Sequence, residues 1–176
     1  MPMAMPGNTG RLRFRPAHET DAAFMLGLLS EAGWRRFISE HSVDSQETAR
    51  AYLQERIIAG YVNGMGFWLI ESKASGKPLG ICGLIKRDYL AQADLGFALL
   101  EQHWGCGYAS EASRATIDYA FEELALSELL AVTVPENARS IRLLEHLGFQ
   151  YQRKTRDPKD EEVSIYSLSR DRWVAA

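Results

Sequence analysis

The sequence predicts an α/β fold of the α+β kind: one central mixed, mostly antiparallel sheet flanked by helices. Three observations carry that expectation. Residues 67–71 and 79–85 are apolar runs joined by Lys73-Ala74-Ser75-Gly76-Lys77, which has the composition of a longer hairpin turn. Apolar runs at 94–100 and 129–134 are each followed by a helical pattern, giving two strand–helix units inside the hairpins. The chain has 176 residues, 46% of them hydrophobic and 24% charged, which suits one domain with a real core.

The elements follow in order. Leu12-Arg13-Phe14-Arg15 alternates and reads as a short strand closed by Pro16. Residues 21–30 are helical, with Phe24, Leu28 and Leu29 on one side, and Gly33 breaks the pattern. Asp44-x-x-Glu47 reads as a capping box. The helix it opens runs to about residue 59, with Ala49, Tyr52, Leu53, Arg56 and Ile57 at helical spacing. Asn63-Gly64-x-Gly66 is a loop before the first hairpin. After the third strand a helix covers about 109–125. The buried-type strand 129–134 ends at Pro135-Glu136-Asn137. Asn137 is a good N-cap for a helix over 138–147, whose apolar stripe is Ile141, Leu144 and Leu147, and Gly148 is its expected stop. Strands at 149–153 and 163–168 flank a charged loop. The order is β-α-α-β-β-β-α-β-α-β-β. Residues 1–10 read as a flexible N-terminal lead and 11–176 as a single domain.

Bulk properties narrow the function. The formal net charge of -3 argues against a nucleic-acid surface. No apolar stretch reaches the 18 or so residues of a membrane span, and residues 1–10 have no basic or apolar signal-peptide regions. Cys82 lies in an apolar run and reads as a small core residue. Cys106 lies in a glycine turn with no base suggested nearby. No His, Cys or carboxylate set has metal-ligand spacing, so no metal is expected. A reduced, cytoplasmic protein fits best.

The most informative stretch is Trp104-Gly105-Cys106-Gly107-Tyr108-Ala109-Ser110-Glu111-Ala112. Strand, glycine turn and helix start build an anion site: the first N–H groups of a helix lack intrahelical partners and carry the positive end of its dipole. It is not a P-loop, because Tyr108 and Ala109 stand where lysine and a hydroxyl residue are needed. Gly105-x-Gly107-x-x-Ser110 comes near the dinucleotide fingerprint, but Glu128 precedes the next apolar run instead of ending it. The ligand is left open by the loop alone.

The order of elements and four motifs resemble the GNAT acyltransferase superfamily, in particular its RimJ/RimL-like branch. Arg11-Leu12-Arg13-Phe14-Arg15-Pro16 with Asp21-Ala22 resembles its opening strand and helix, and Leu95-Gly96-Phe97-Ala98-Leu99 its central strand. Trp104-Gly105-x-Gly107-Tyr108-Ala109-x-Glu111-Ala112 resembles its acetyl-CoA loop, and Asn137-x-x-Ser140-Ile141 with Leu147-Gly148-Phe149 its last helix and turn. The resemblance implies acetyl transfer from acetyl-CoA to a primary amine by direct attack in a ternary complex. It implies that the N–H groups of Gly105, Cys106, Gly107, Tyr108 and Ala109 hold the pyrophosphate, with Trp104 also a cofactor-binding residue. The pantetheine would then run beside Phe97, Ala98 and Leu99, with Asn137 holding the pantetheine arm or the loop that follows. The superfamily's usual tyrosine acid falls on Leu144, so the resemblance passes the role of acid to Ser140.

An attacking amine must lose a proton. Asp94 is the preferred base candidate, ahead of Glu40, His41 and Glu101. Trp34 and Phe37 are the expected acceptor-pocket residues. A protein N-terminus or a small-molecule amine is the expected acceptor, and a homodimer is compatible with the branch. Two other functions remain: a non-catalytic acyl-CoA-binding sensor, and a dinucleotide-binding protein.

Overall fold

The computed structural model describes residues 3–31 and 43–176. Its centre is one seven-stranded sheet in the order β1-β2-β3-β4-β5-β7-β6. The strands are β1 (Leu12–Arg15), β2 (Gly66–Ser72), β3 (Pro78–Ile85), β4 (Asp94–Leu99), β5 (Glu128–Thr133), β6 (Gln150–Arg156) and β7 (Glu162–Ser169). Every neighbouring pair is antiparallel except β4–β5. The mixed, mostly antiparallel sheet flanked by helices is therefore as the sequence predicts.

The helices are α1 (Ala22–Ser30), α2 (Gln46–Tyr52), α3 (Tyr108–Glu122), α4 (Ala138–Leu147) and α5 (Arg170–Ala175). α2 continues as a wider turn over Leu53–Ile57 and a tighter one over Ile58–Gly60. Its cap differs from the expected Asp44–Glu47 box. Ser45 is the N-cap, accepting from the Thr48 N–H at 3.1 Å, while the Thr48 hydroxyl oxygen accepts from the Ser45 N–H at 3.0 Å. A hydroxyl at the third helical position serves as well as a carboxylate there. α5 was not anticipated. It is a short polar helix without buried residues, capped by the Ser169 side chain.

Burial explains why the central strands read as continuous apolar runs. Both faces of the sheet are covered, so neighbouring residues on a strand point into different cores. Trp68, Ile70, Cys82, Leu84, Leu95, Leu129 and Leu168 pack with Ile117, Phe121 and Leu144 of α3 and α4. Leu69, Ile81 and Ala98 pack with Met25, Leu28, Leu29, Ala49 and Leu53 of α1 and α2. On that second face the β3–β4 connection drops Leu90 onto Leu130, Val163 and Ile165. Cys82 is fully buried against Thr116, and burial pushes its thiol up to about 11. It is a core residue.

The segment 3–10 makes specific contacts. Met5 packs against the core, Asn8 Oδ1 accepts from the Phe14 N–H at 3.1 Å, and the Thr9 hydroxyl donates to Glu111.

Candidate active site

The parallel pair is where the sheet opens. β4 and β5 are in register only at Asp94 and Leu130, where the Leu130 N–H reaches the Ala93 carbonyl at 2.9 Å. Beyond that point the two strands diverge. On its other side β4 is paired with β3 along its whole length. The Leu100 N–H bonds the Leu79 carbonyl, so by antiparallel alternation the backbone groups of Phe97 and Leu99 face the gap. The Leu99 carbonyl is already satisfied by the Trp104 indole N–H at 3.0 Å. Phe97 is thus left as a gap-facing donor and acceptor on β4.

The wide end of the gap lies at the carboxyl ends of both strands. On the β4 side sits the glycine turn. Gly105 and Gly107 have φ of +78° and +82°, conformations that L side chains rarely adopt. Gly107 is the N-cap of α3 and offers no side chain to its free N–H groups. The first helical bond is Glu111 N–H to the Gly107 carbonyl at 3.0 Å. The N–H groups of Tyr108, Ala109 and Ser110 are left without helical acceptors. The starts of α2, α4 and α5 are closed by Ser45, Asn137 and Ser169. This 15-residue helix is left open, as an anion site requires.

Two arginines that the sequence did not single out for the site hold this end together. Arg11 donates to the Cys106 carbonyl at 3.0 Å, pairs with Glu111 at 2.7 Å and lies 4.4 Å over the Tyr108 ring. It fixes the turn and neutralises the one acid of the first helical turn. Arg139, in the first turn of α4, lies 4.2 Å over the Trp104 ring and so ties the β5 side to the β4 side. Neither has a local motif, because each partner is distant in sequence.

On the β5 side Asn137 caps α4, its Oδ1 accepting the Ser140 N–H at 3.2 Å. The cap uses the carbonyl oxygen only, and no described residue accepts from the Asn137 amide NH2. Ser140 is half-buried in that first turn.

At the narrow end lies Asp94, only 1% exposed. Arg87 donates to its Oδ2 at 2.8 Å, and no described residue donates to Oδ1. Burial pushes its carboxyl up to about 6, with the cations of Arg87 and Lys86 opposing the rise.

The chain matches the family model of the acetyltransferase (GNAT) domain over residues 11–150. It belongs to the GNAT acetyltransferase family. Among curated relatives, it is 38% identical over 168 residues to the uncharacterised N-acetyltransferase p20 of Bacillus licheniformis, covering 92% of this chain and 93% of that one. It is 32% identical to the probable N-acetyltransferase YjcK of Bacillus subtilis, covering 92% and 91%. Among solved structures, a GNAT acetyltransferase from Bacillus anthracis superposes with a TM-score of 0.80 at 20% identity, over 95% of this chain and 99% of that one. Mycobacterium smegmatis RimJ in complex with CoA-disulfide superposes with a TM-score of 0.77 at 19% identity, over 96% and 90%. The structural likenesses show a shared fold, and the sequence matches show an acetyl-CoA-dependent N-acetyltransferase.

The GNAT fold brings most of the sequence-predicted residues to one gap. Phe97, Ala98 and Leu99 lie on β4, Trp104 to Ala109 at its mouth, and Asn137 and Ser140 on the facing rim. Ala98 and Leu99 are buried. Asp94 is at the opposite end of β4, about 17 Å from Leu99 at ~3.3 Å per residue. Trp34, Phe37, Glu40 and His41 lie outside the described residues. Glu101 is exposed in a single turn whose N–H bonds Glu31. Cys106 is exposed; its thiol donates to the Trp104 carbonyl, and its own carbonyl accepts from Arg11. Leu144 is buried in the core. Among the described residues no group of three or more His, Cys or carboxylate residues could hold a metal, and no helix is long and apolar enough to cross a membrane.

Proposed function

We propose that this acetyltransferase transfers the acetyl group of acetyl-CoA to a primary amine by direct attack, with both substrates bound. The observation that carries the reading is the β4–β5 gap, which joins an uncapped helix start at one end to a buried carboxylate at the other. The residues present fit the cosubstrate. The free N–H groups of Tyr108, Ala109 and Ser110 take the pyrophosphate, with Gly105 and Gly107 giving the turn and Trp104 and Cys106 its walls. The Phe97 backbone pairs with the amide groups of the pantetheine in the manner of an added strand, beside Ala98 and Leu99. The Asn137 NH2 donates from the opposite rim.

The cosubstrate supplies a thioester, whose carbonyl carbon accepts the amine nitrogen as the C–S bond breaks. The chain supplies the proton traffic. Asp94 Oδ1 is the final acceptor of the proton of the attacking amine, reached through a water chain because the carboxylate lies at the far end of β4 from the glycine turn. The Ser140 hydroxyl donates a hydrogen bond to the departing sulfur. A gap-facing N–H of β4 stabilises the negative charge that develops on the carbonyl oxygen.

The strength of this base points to an acceptor class. A carboxylate with a pKa of about 6 lies about two units below an α-amine at 7.7–8.0 and more than four below a lysine-type amine at ~10.4. An α-amine, on a protein N-terminus or a small molecule, is the better match. The resemblance to RimJ/RimL-like enzymes supports the same choice. The test is a panel of peptide α-amines, amino sugars, polyamines and lysine-type amines, read by release of free thiol. Turnover led by α-amines supports the reading. Turnover of lysine-type amines alone rejects the acceptor class, and no turnover despite acetyl-CoA binding rejects catalysis.

A further inference from the structure

The β3–β4 connection is more firmly built than a surface loop needs to be, and its fixed point is Arg87. The Lys86 ammonium donates to the Arg87 carbonyl at 2.9 Å and to that of Leu90. The Leu90 N–H closes the turn onto the Arg87 carbonyl at 3.2 Å. Leu90 itself is buried on β5 and β7. The loop is therefore anchored on the strands beyond the gap, while the Arg87 side chain reaches back to β4. Its Nε engages Oδ2 of Asp94 at 2.8 Å, leaving Oδ1 open. The Arg87 side chain is 41% exposed and that of Asp94 only 2%.

A buried carboxylate with a half-exposed cation is a poor way to add stability. An apolar or amide side chain would spare the desolvation cost. The arrangement makes sense if the carboxylate must be charged and aimed.

We propose that Arg87 is the positioning residue of the acceptor site: it keeps Asp94 ionised and holds Oδ1 toward the narrow end of the gap. This rests on the reading of Asp94 as proton acceptor. The other charged and titratable groups around the pair are known. Lys86 acts on Asp94 from the same loop. Tyr89 of that loop and Asp157 of the β6–β7 hairpin act on Arg87. Tyr52 of α2 lies within reach of both Arg87 and Arg56. Arg87 is the group that touches the carboxylate, so its removal should change Asp94 most.

The experiment compares Arg87→Met, Arg87→Lys and Asp94→Asn with wild type. The Asp94 carboxyl is followed by carbon-13 NMR titration, its resonance assigned by its loss in Asp94→Asn. The pH profile of kcat/KM is taken with the panel amine that turns over fastest. Arg87→Met should raise the Asp94 midpoint by about one unit or more. The acidic limb of kcat/KM should move up with it, and Arg87→Lys should return both toward wild type. A thermal melt checks folding, and Arg87→Gln replaces Arg87→Met if the latter does not fold. An unmoved midpoint, or a slower variant with an unmoved limb, overturns the proposal. If Asp94→Asn keeps the wild-type rate and limb, the base reading itself fails. If Asp94→Asn loses the limb but Arg87→Met leaves the midpoint in place, only the role of Arg87 fails.

Discussion

The Arg139 guanidinium lies 4.2 Å over the ring of Trp104 and links the first turn of α4 to the glycine turn before α3. The two residues stand on opposite rims of the β4–β5 gap, at its wide end. Trp104 is itself pinned by its indole N–H to the Leu99 carbonyl. The stack therefore ties the two rims together at the mouth of the gap.

Arg139→Ala should loosen that mouth without touching the narrow end. A cation–π contact at an exposed site is worth about 0.5–1 kcal/mol, so acetyl-CoA affinity should fall roughly two- to fivefold with kcat little changed. Titration calorimetry and steady-state kinetics read the two separately. A fall in kcat alone would show that the stack acts at the reacting end.

Gly107→Val should abolish acetyl-CoA binding in a folded protein. Space is not the obstacle: a Cβ at Gly107 would meet only an Arg11 nitrogen at 3.4 Å. The obstacle is φ of +82°, a genuine outlier for a β-branched residue. Relieving it turns the free N–H groups of α3 away from the anion. Normal affinity in this variant would contradict the assignment of the turn.

Asn137 and Ser140 separate by their effects. Asn137→Ala removes a helix cap and should cost about 1 kcal/mol of stability as well as cosubstrate affinity. Ser140→Ala removes a hydroxyl that bonds no described residue, so turnover should fall while the melting temperature and acetyl-CoA binding hold. A wild-type rate for Ser140→Ala would leave the serine without a catalytic role.

Asp94 should cost stability at neutral pH. Its folded pKa of about 6 lies above an unfolded value near 3.9. Between those values the native state holds the proton and the unfolded state does not, so stability falls as pH rises through that window. The shift of roughly two units corresponds to a few kcal/mol at pH 7. Asp94→Asn should therefore melt higher than wild type at pH 7, with the advantage shrinking toward pH 4, while acetyl transfer is lost. Chemical denaturation at both pH values checks this. A less stable Asp94→Asn at pH 7 would mean that the Arg87 pair outweighs burial.

Much of the site was legible where one local rule suffices. Gly105 and Gly107 are the turn residues that a strand-to-helix anion site needs, and Asn137 caps the helix expected of it. The strands were legible because burial on both faces leaves unbroken apolar runs. What escaped the sequence depends on distance or on near-equivalent chemistry. Arg11 reaches Cys106 across 95 positions, and the pairings of Arg139 with Trp104 and Arg87 with Asp94 exist only once the rims and loop are folded. The cap of α2 shifted from Asp44 to Ser45 because the two neighbours are comparably good caps. The divergence of β4 from β5 leaves no mark in either strand, since each keeps its apolar pattern whether or not it is paired.

The most direct test of the account is calorimetric titration of the wild-type protein with acetyl-CoA, with NAD as the control. The account predicts saturable one-site binding of acetyl-CoA and none of NAD. A folded sample that binds neither, or prefers NAD, would contradict the reading of the β4–β5 gap as the acetyl-CoA site.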